Sequence, residues 1–133
     1  MNTLVDTSVW SLALRRDSPP DIAELNELKR ALRAGMVVST GLVLQELLQG
    51  FSGPKAHDLI VERFRAFPLI VPDREDHISA AELRTRCRRR GVQIGTIDAL
   101  LAQLCIRHDL QILTTDKDFQ SIAKVAKLNV WYT

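Results

Sequence analysis

Apolar residues fall into short unbroken runs, separated by longer stretches in which they recur every three or four positions. The runs are Thr3-Leu4-Val5, Met36-Val37-Val38-Ser39, Pro68-Leu69-Ile70-Val71-Pro72, Gln111-Ile112-Leu113-Thr114 and Asn129-Val130-Trp131-Tyr132. Each is too short for a helix and reads as a strand; the one between prolines is placed at a sheet edge. The periodic stretches read as helices. Val9, Trp10, Leu12, Ala13 and Leu14 give a short buried one after Thr7-Ser8. Ile22, Leu25, Leu28 and Leu32 give a stripe that stops at Gly35, with Asp21 and Glu24 spaced as a capping box. Leu44, Leu47, Leu48 and Phe51 form a third face, capped by Ser39 or Thr40. Ser52-Gly53-Pro54 then breaks the chain before a helix to about Phe67. Asp73, Glu75 and Asp76 suit the first turn of a long helix, and Arg84 to Arg90 fill its last turns before Gly91, the charge order a helix dipole favours. Thr96 is placed as the cap of the most regular helix, with Ile97, Leu100, Leu101, Leu104, Cys105 and, at the core edge, His108. A helix bearing Ile122, Val125 and Ala126 precedes the last strand.

Apolar strands alternating with helices through short connections predict an α/β fold, a mostly parallel sheet of about five strands covered on both faces. The 133 residues are expected to make one domain, 1–133, with a sizeable core. A content of 46% apolar and 26% charged residues is that of a globular protein, not a disordered one. The longest apolar run is far short of a membrane span, and the start lacks a secretory signal, so a cytoplasmic location with no membrane contact is expected. Cys87 and Cys105 lack both C-x-x-C spacing and grouped histidines. They read as small semi-buried side chains.

The chemistry lies in four acidic fragments: Val5-Asp6-Thr7-Ser8, Gln45-Glu46-Leu47, Ile97-Asp98-Ala99 and Thr114-Thr115-Asp116-Lys117-Asp118-Phe119. Asp6 and Asp116 follow strands, and in an open parallel sheet functional groups gather beyond the carboxyl ends of strands. Each acid also has an ordinary explanation. Asp6 reads equally as a helix cap, Asp98 as first-turn dipole compensation, Glu46 as a solvated helix residue, and Asp116 and Asp118 as turn residues. If the four fragments meet, their carboxylates repel and need hard cations, for which oxygen ligands favour Mg²⁺ or Mn²⁺. Such ions activate water and neutralise charge in phosphodiester cleavage. The net charge of +2 is slight, but Arg84, Arg86, Arg88, Arg89 and Arg90 fall within seven residues, a positive rim suited to a polyanion. A solvated helix end explains them equally well, against RNA or partner contact through Arg86, Arg88, Arg89 and Arg90.

Together the fragments resemble the PIN-domain ribonucleases, most of all the VapC-type toxins of VapBC toxin–antitoxin pairs, over Met1 to Thr133. The resemblance implies a PIN-like three-layer sandwich and metal-dependent endoribonuclease activity with Mg²⁺ or Mn²⁺. It implies an acidic quartet at Asp6, Glu46, Asp98 and Asp116, with Asp118 as a further candidate. Thr7, Ser8 and Thr115 match positions whose hydroxyls orient the carboxylates. The implied partners are RNA and a cognate VapB-type antitoxin, with a homodimer that forms a heterotetramer or larger assembly with the antitoxin. The alternative is a non-catalytic interaction module whose acidic pocket docks an arginine-bearing partner segment. The Leu25, Leu28 and Leu32 helix and the segment after Gly53 are expected to grip an antitoxin helix.

Overall fold

A computed structural model describes residues 1–15, 17–51 and 53–132. The elements run β1 (Thr3–Val5), α1 (Thr7–Ala13), α2 (Ala23–Arg33), β2 (Val37–Thr40), α3 (Gly41–Gly50), α4 (Pro54–Phe64), β3 (Leu69–Ile70), α5 (Arg74–Arg89), α6 (Thr96–Arg107), β4 (Gln111–Leu113), α7 (Asp118–Ala123) and β5 (Asn129–Val130). Among the described residues the strands form one five-stranded sheet, order β3-β2-β1-β4-β5, with every neighbouring pair parallel. The proline-flanked strand is at the edge, as its sequence predicts.

The chain starts mid-sheet at β1, winds outward through β2 and β3, then returns to β4 on the other side of β1. Right-handed crossovers place the helices of the two arms on opposite faces. Contacts agree: α1 packs on α2 and α3, and α3 on α4, while α6 packs on α5 and α7. The winding direction reverses between β1 and β4, which leaves a crevice beyond the carboxyl ends of those strands. The core beneath it is apolar. Leu4, Val5, Ile112 and Leu113 of the central strands are fully buried, as are Leu101 and Leu104 of α6. Trp10 is a core residue, its ring 5.1 Å from Phe64 and 5.6 Å from Phe67. Both cysteines are buried.

Several local expectations are corrected. Asp21 and Glu24 form no capping box: Ile22 is the residue before α2 and makes no side-chain cap, and Asp21 instead accepts a 3.4 Å bond from Asn26. Ile22 packs on the core there, and apolar burial of that kind outweighs a cap of about 1 kcal/mol. Gly95, not Thr96, caps α6. His108 is exposed, because Asp109 (φ 52) turns the chain away directly after the helix. Leu25 and Leu28 are buried in the core, and only Leu32 of that stripe is exposed.

A capping box does form at α5, between Asp73 and Asp76. Asp76 is more than a dipole companion. It is buried and takes a 2.5 Å bond from Arg107, which also pairs with Asp73 at 3.1 Å. That pair fastens the start of α5 to the end of α6, so the two helices form an antiparallel hairpin.

Candidate metal centre

Parallel pairing of Val5 with Leu113 brings the residues after β1 and β4 side by side at the crevice. Asp6 is at the start of α1, where its carbonyl accepts from Val9 and Trp10. Its carboxylate makes no cap, so that reading fails. Asp6 is instead buried, and its Oδ2 accepts 2.8 Å bonds from both Ser8 Oγ and Thr114 Oγ1. Each hydroxyl has one proton, so their 3.3 Å approach to each other is a contact, not a third bond. With Oδ2 doubly engaged, Oδ1 is left for a further ligand.

Thr114 also accepts from the Asp116 backbone N–H at 2.9 Å, which orders the acidic turn. Asp116 Oδ1 in turn accepts from the Asp118 N–H at 2.9 Å, starting α7. The turn-residue reading of Asp116 therefore holds for one oxygen and leaves the other free. Thr115 contributes through its N–H, bonded to Ser8 Oγ at 3.1 Å. Glu46 on α3 is half-buried and accepts a 3.1 Å bond from Thr7, so it lies in the crevice and is not a solvated helix residue. Asp98 is in the first turn of α6.

Asp98 reports how closely these groups gather. Its carboxyl is raised from 3.8 to about 6, first by burial and then by the charges of Asp6, Asp116, Asp118 and Glu46. Asp98 thus lies within electrostatic reach of the other four acids. The tightest group is Asp98, Asp116 and Asp118, each offering one carboxylate oxygen within 4.8 Å of the others. Opposed ligands of an octahedral Mg²⁺ stand about 4.2 Å apart, so this trio is near ligand spacing. Asp118, the further candidate of the sequence, is inside the trio; Asp6 and Glu46 border it from β1 and α3. Among the described residues none of the five forms an ion pair. Hard oxygen donors without protein counter-charge fit a divalent cation.

Sequence reasoning missed Thr114. The signal was available: side chains alternate along a strand, and Thr114 lies two residues beyond Ile112, which pairs with Leu4, as Asp6 lies two beyond Leu4. That parity puts Thr114, rather than Thr115, beside Asp6. Arg86, Arg88, Arg89 and Arg90 lie exposed at the end of α5 and are not brought into the acid cluster.

One sequence family, the PIN domain, matches residues 3–125. Ribonuclease VapC11 of Mycobacterium tuberculosis is 30% identical over 127 residues, 94% of each chain. The VapC ribonuclease Mb1587 of Mycobacterium bovis matches to the same extent. Among solved structures, FitAcB from Neisseria gonorrhoeae superposes with a TM-score of 0.77 at 21% identity, over 98% of this chain and 96% of that one. VapBC2 from Rickettsia felis, bound to a promoter DNA fragment, gives a TM-score of 0.77 at 20% identity over 98% of both. With the family pattern spanning most of the sequence and VapC ribonucleases 30% identical over 94% of each chain, the chain belongs to the PIN domain family, in its VapC ribonuclease branch.

Proposed function

We propose that residues 1–133 act as one PIN domain, the toxin of a type II toxin–antitoxin pair, and hydrolyse RNA phosphodiester bonds with Mg²⁺ or Mn²⁺. The carrying observation is the convergence of five acids without counter-charge, three of them near ligand spacing. The relatives' ribonuclease names support RNA as the substrate. Asp98, Asp116 and Asp118 would hold the ion, with Asp6 Oδ1 within the same cluster. When bound, a divalent ion supplies a lowered water pKa and charge neutralisation at the phosphate. Ser8 and Thr114 fix Asp6, and Thr7 fixes Glu46 Oε1, leaving Oε2 to complete the pocket through water.

The partner is a VapB-type antitoxin, and the toxin itself is a homodimer. Leu25 and Leu28 are not the free stripe expected from sequence, yet with Trp10, Leu14, Leu32 and Arg63 they line a cleft of about 390 Å³ between α1, α2 and α4. An antitoxin helix would dock there.

Cleavage of RNA should vanish on chelation and return with Mn²⁺. Undiminished cleavage in excess chelator would overturn the metal mechanism. Absence of both cleavage and calorimetric Mn²⁺ binding would leave a non-catalytic docking module.

Thr114→Val keeps the shape but removes one of two donors that aim Asp6. Turnover should fall about 10- to 100-fold, the usual effect of losing an outer partner of a ligand. Single-turnover kinetics at saturating RNA would check it; an unchanged rate would remove Thr114 from the site.

A further inference from the structure

The arginine-rich end of α5 is the largest charged feature that cleavage chemistry leaves unused. Arg84, Arg86, Arg88, Arg89 and Arg90 are all exposed, and among the described residues none of them is ion-paired. A helix carboxyl end carries only about half a negative charge, so one cation would offset it. The surplus guanidiniums repel one another across helical turns, Arg84 with Arg88 and Arg86 with Arg89 or Arg90. Glu82, one turn before Arg86 and lining one groove with Arg86 and Arg89, offsets only one of these charges, and a second partner would stabilise the rest.

Its position selects the partner. Arg107 fastens the start of α5 to the far end of α6. At the opposite end, Arg84 Nε donates to the Ile94 carbonyl at 2.9 Å, and Arg84 lines one groove with Thr96. The arginines therefore share an end of the hairpin with Asp98, one helix away from the acid cluster. We infer that this crest holds the RNA strand through phosphates flanking the scissile one. The inference rests on the ribonuclease reading of the acid cluster. A phosphate at every nucleotide suits a row of arginine forks, while the acid cluster itself repels the strand except where a cation sits. Arg86, Arg88 and Arg89 thus supply affinity, and the carboxylates supply chemistry.

The test is the triple variant Arg86→Gln/Arg88→Gln/Arg89→Gln, with its triple lysine counterpart. RNA binding is measured in the Asp98→Asn background across a salt series. Each phosphate contact on a single strand contributes roughly 0.7 to the salt slope, so the glutamine variant should lose about 2 in slope and roughly 100-fold in affinity at 0.1 M salt. Lysine should restore most of both, and thermal melting of the glutamine variant should be unchanged or raised. With Asp98 restored, Mn²⁺-dependent hydrolysis of bis(p-nitrophenyl) phosphate, which reaches no further than the acid cluster, should be unaffected. Wild-type failure on that probe would count against the ribonuclease reading, while the binding arm would still judge the crest. RNA affinity and salt slope within twofold of the parent would overturn the inference. So would a loss confined to antitoxin binding.

Discussion

Asp98→Asn is expected to lower RNA cleavage by at least about a thousandfold while leaving the fold intact. The carboxylate belongs to the tightest trio and is surrounded by all four other acids, so its loss removes a ligand and a charge together. Supporting groups alone commonly cost 10- to 100-fold, and a direct ligand costs more. The fold should survive because the first turn of α6 is capped by Gly95 and Asp98 makes no capping bond. Asparagine is close in shape to the protonated acid and relieves four repulsions. The metal-free variant should therefore melt above the metal-free wild type. Cleavage assays paired with calorimetric melts check both halves. Wild-type turnover in the variant, or a collapse of its melting transition, would contradict the role given to Asp98.

The second large effect is a pH dependence whose direction follows from the same acid. Asp98 binds its proton more tightly folded than unfolded, with a carboxyl raised from 3.8 to about 6. The stability it contributes is fully present below about pH 4 and is lost as pH rises through about 6. Metal-free protein should therefore lose stability across that window, opposite to the behaviour of a salt-bridged carboxylate. Mn²⁺ must displace the proton, so its affinity should rise over the same range, and at pH 7.5 it should raise the melting temperature. Melts from pH 4 to 8 with chelator and with Mn²⁺ would check this. A metal-free protein whose stability climbs from pH 4 to 6, with no gain from Mn²⁺ at pH 7.5, would contradict it.

The architecture was legible because its signal is long-range and apolar. Short runs such as Leu4-Val5 and Ile112-Leu113, separated by periodic helices, leave little freedom once parallel pairing and right-handed crossovers are imposed. Caps were read less well, because Ile22 and Gly95 were chosen by packing and chain direction over the hydroxyl or carboxyl one residue away. The candidate site was legible as residue types but not as an arrangement. The spacing of Asp6, Glu46, Asp98 and Asp116 could not say that Asp118 would stand in the tightest trio, or that the Asp6 carboxylate, at the N-cap of α1, would bond Ser8 and Thr114 instead of capping the helix. Those outcomes depend on where α7 begins and which face β4 presents. A second case is Asp76, whose sequence neighbourhood reads as the first turn of a long helix but whose carboxylate is buried against Arg107, 31 positions later.

Anomalous scattering from a crystal soaked in Mn²⁺ tests the cation site most directly. One strong peak is expected within about 2.3 Å of oxygens from Asp98 and from Asp116 or Asp118, and it should be absent from the Asp98→Asn crystal. A fully soaked wild-type crystal with no manganese among these carboxylates would contradict the metal centre and the hydrolytic mechanism built on it.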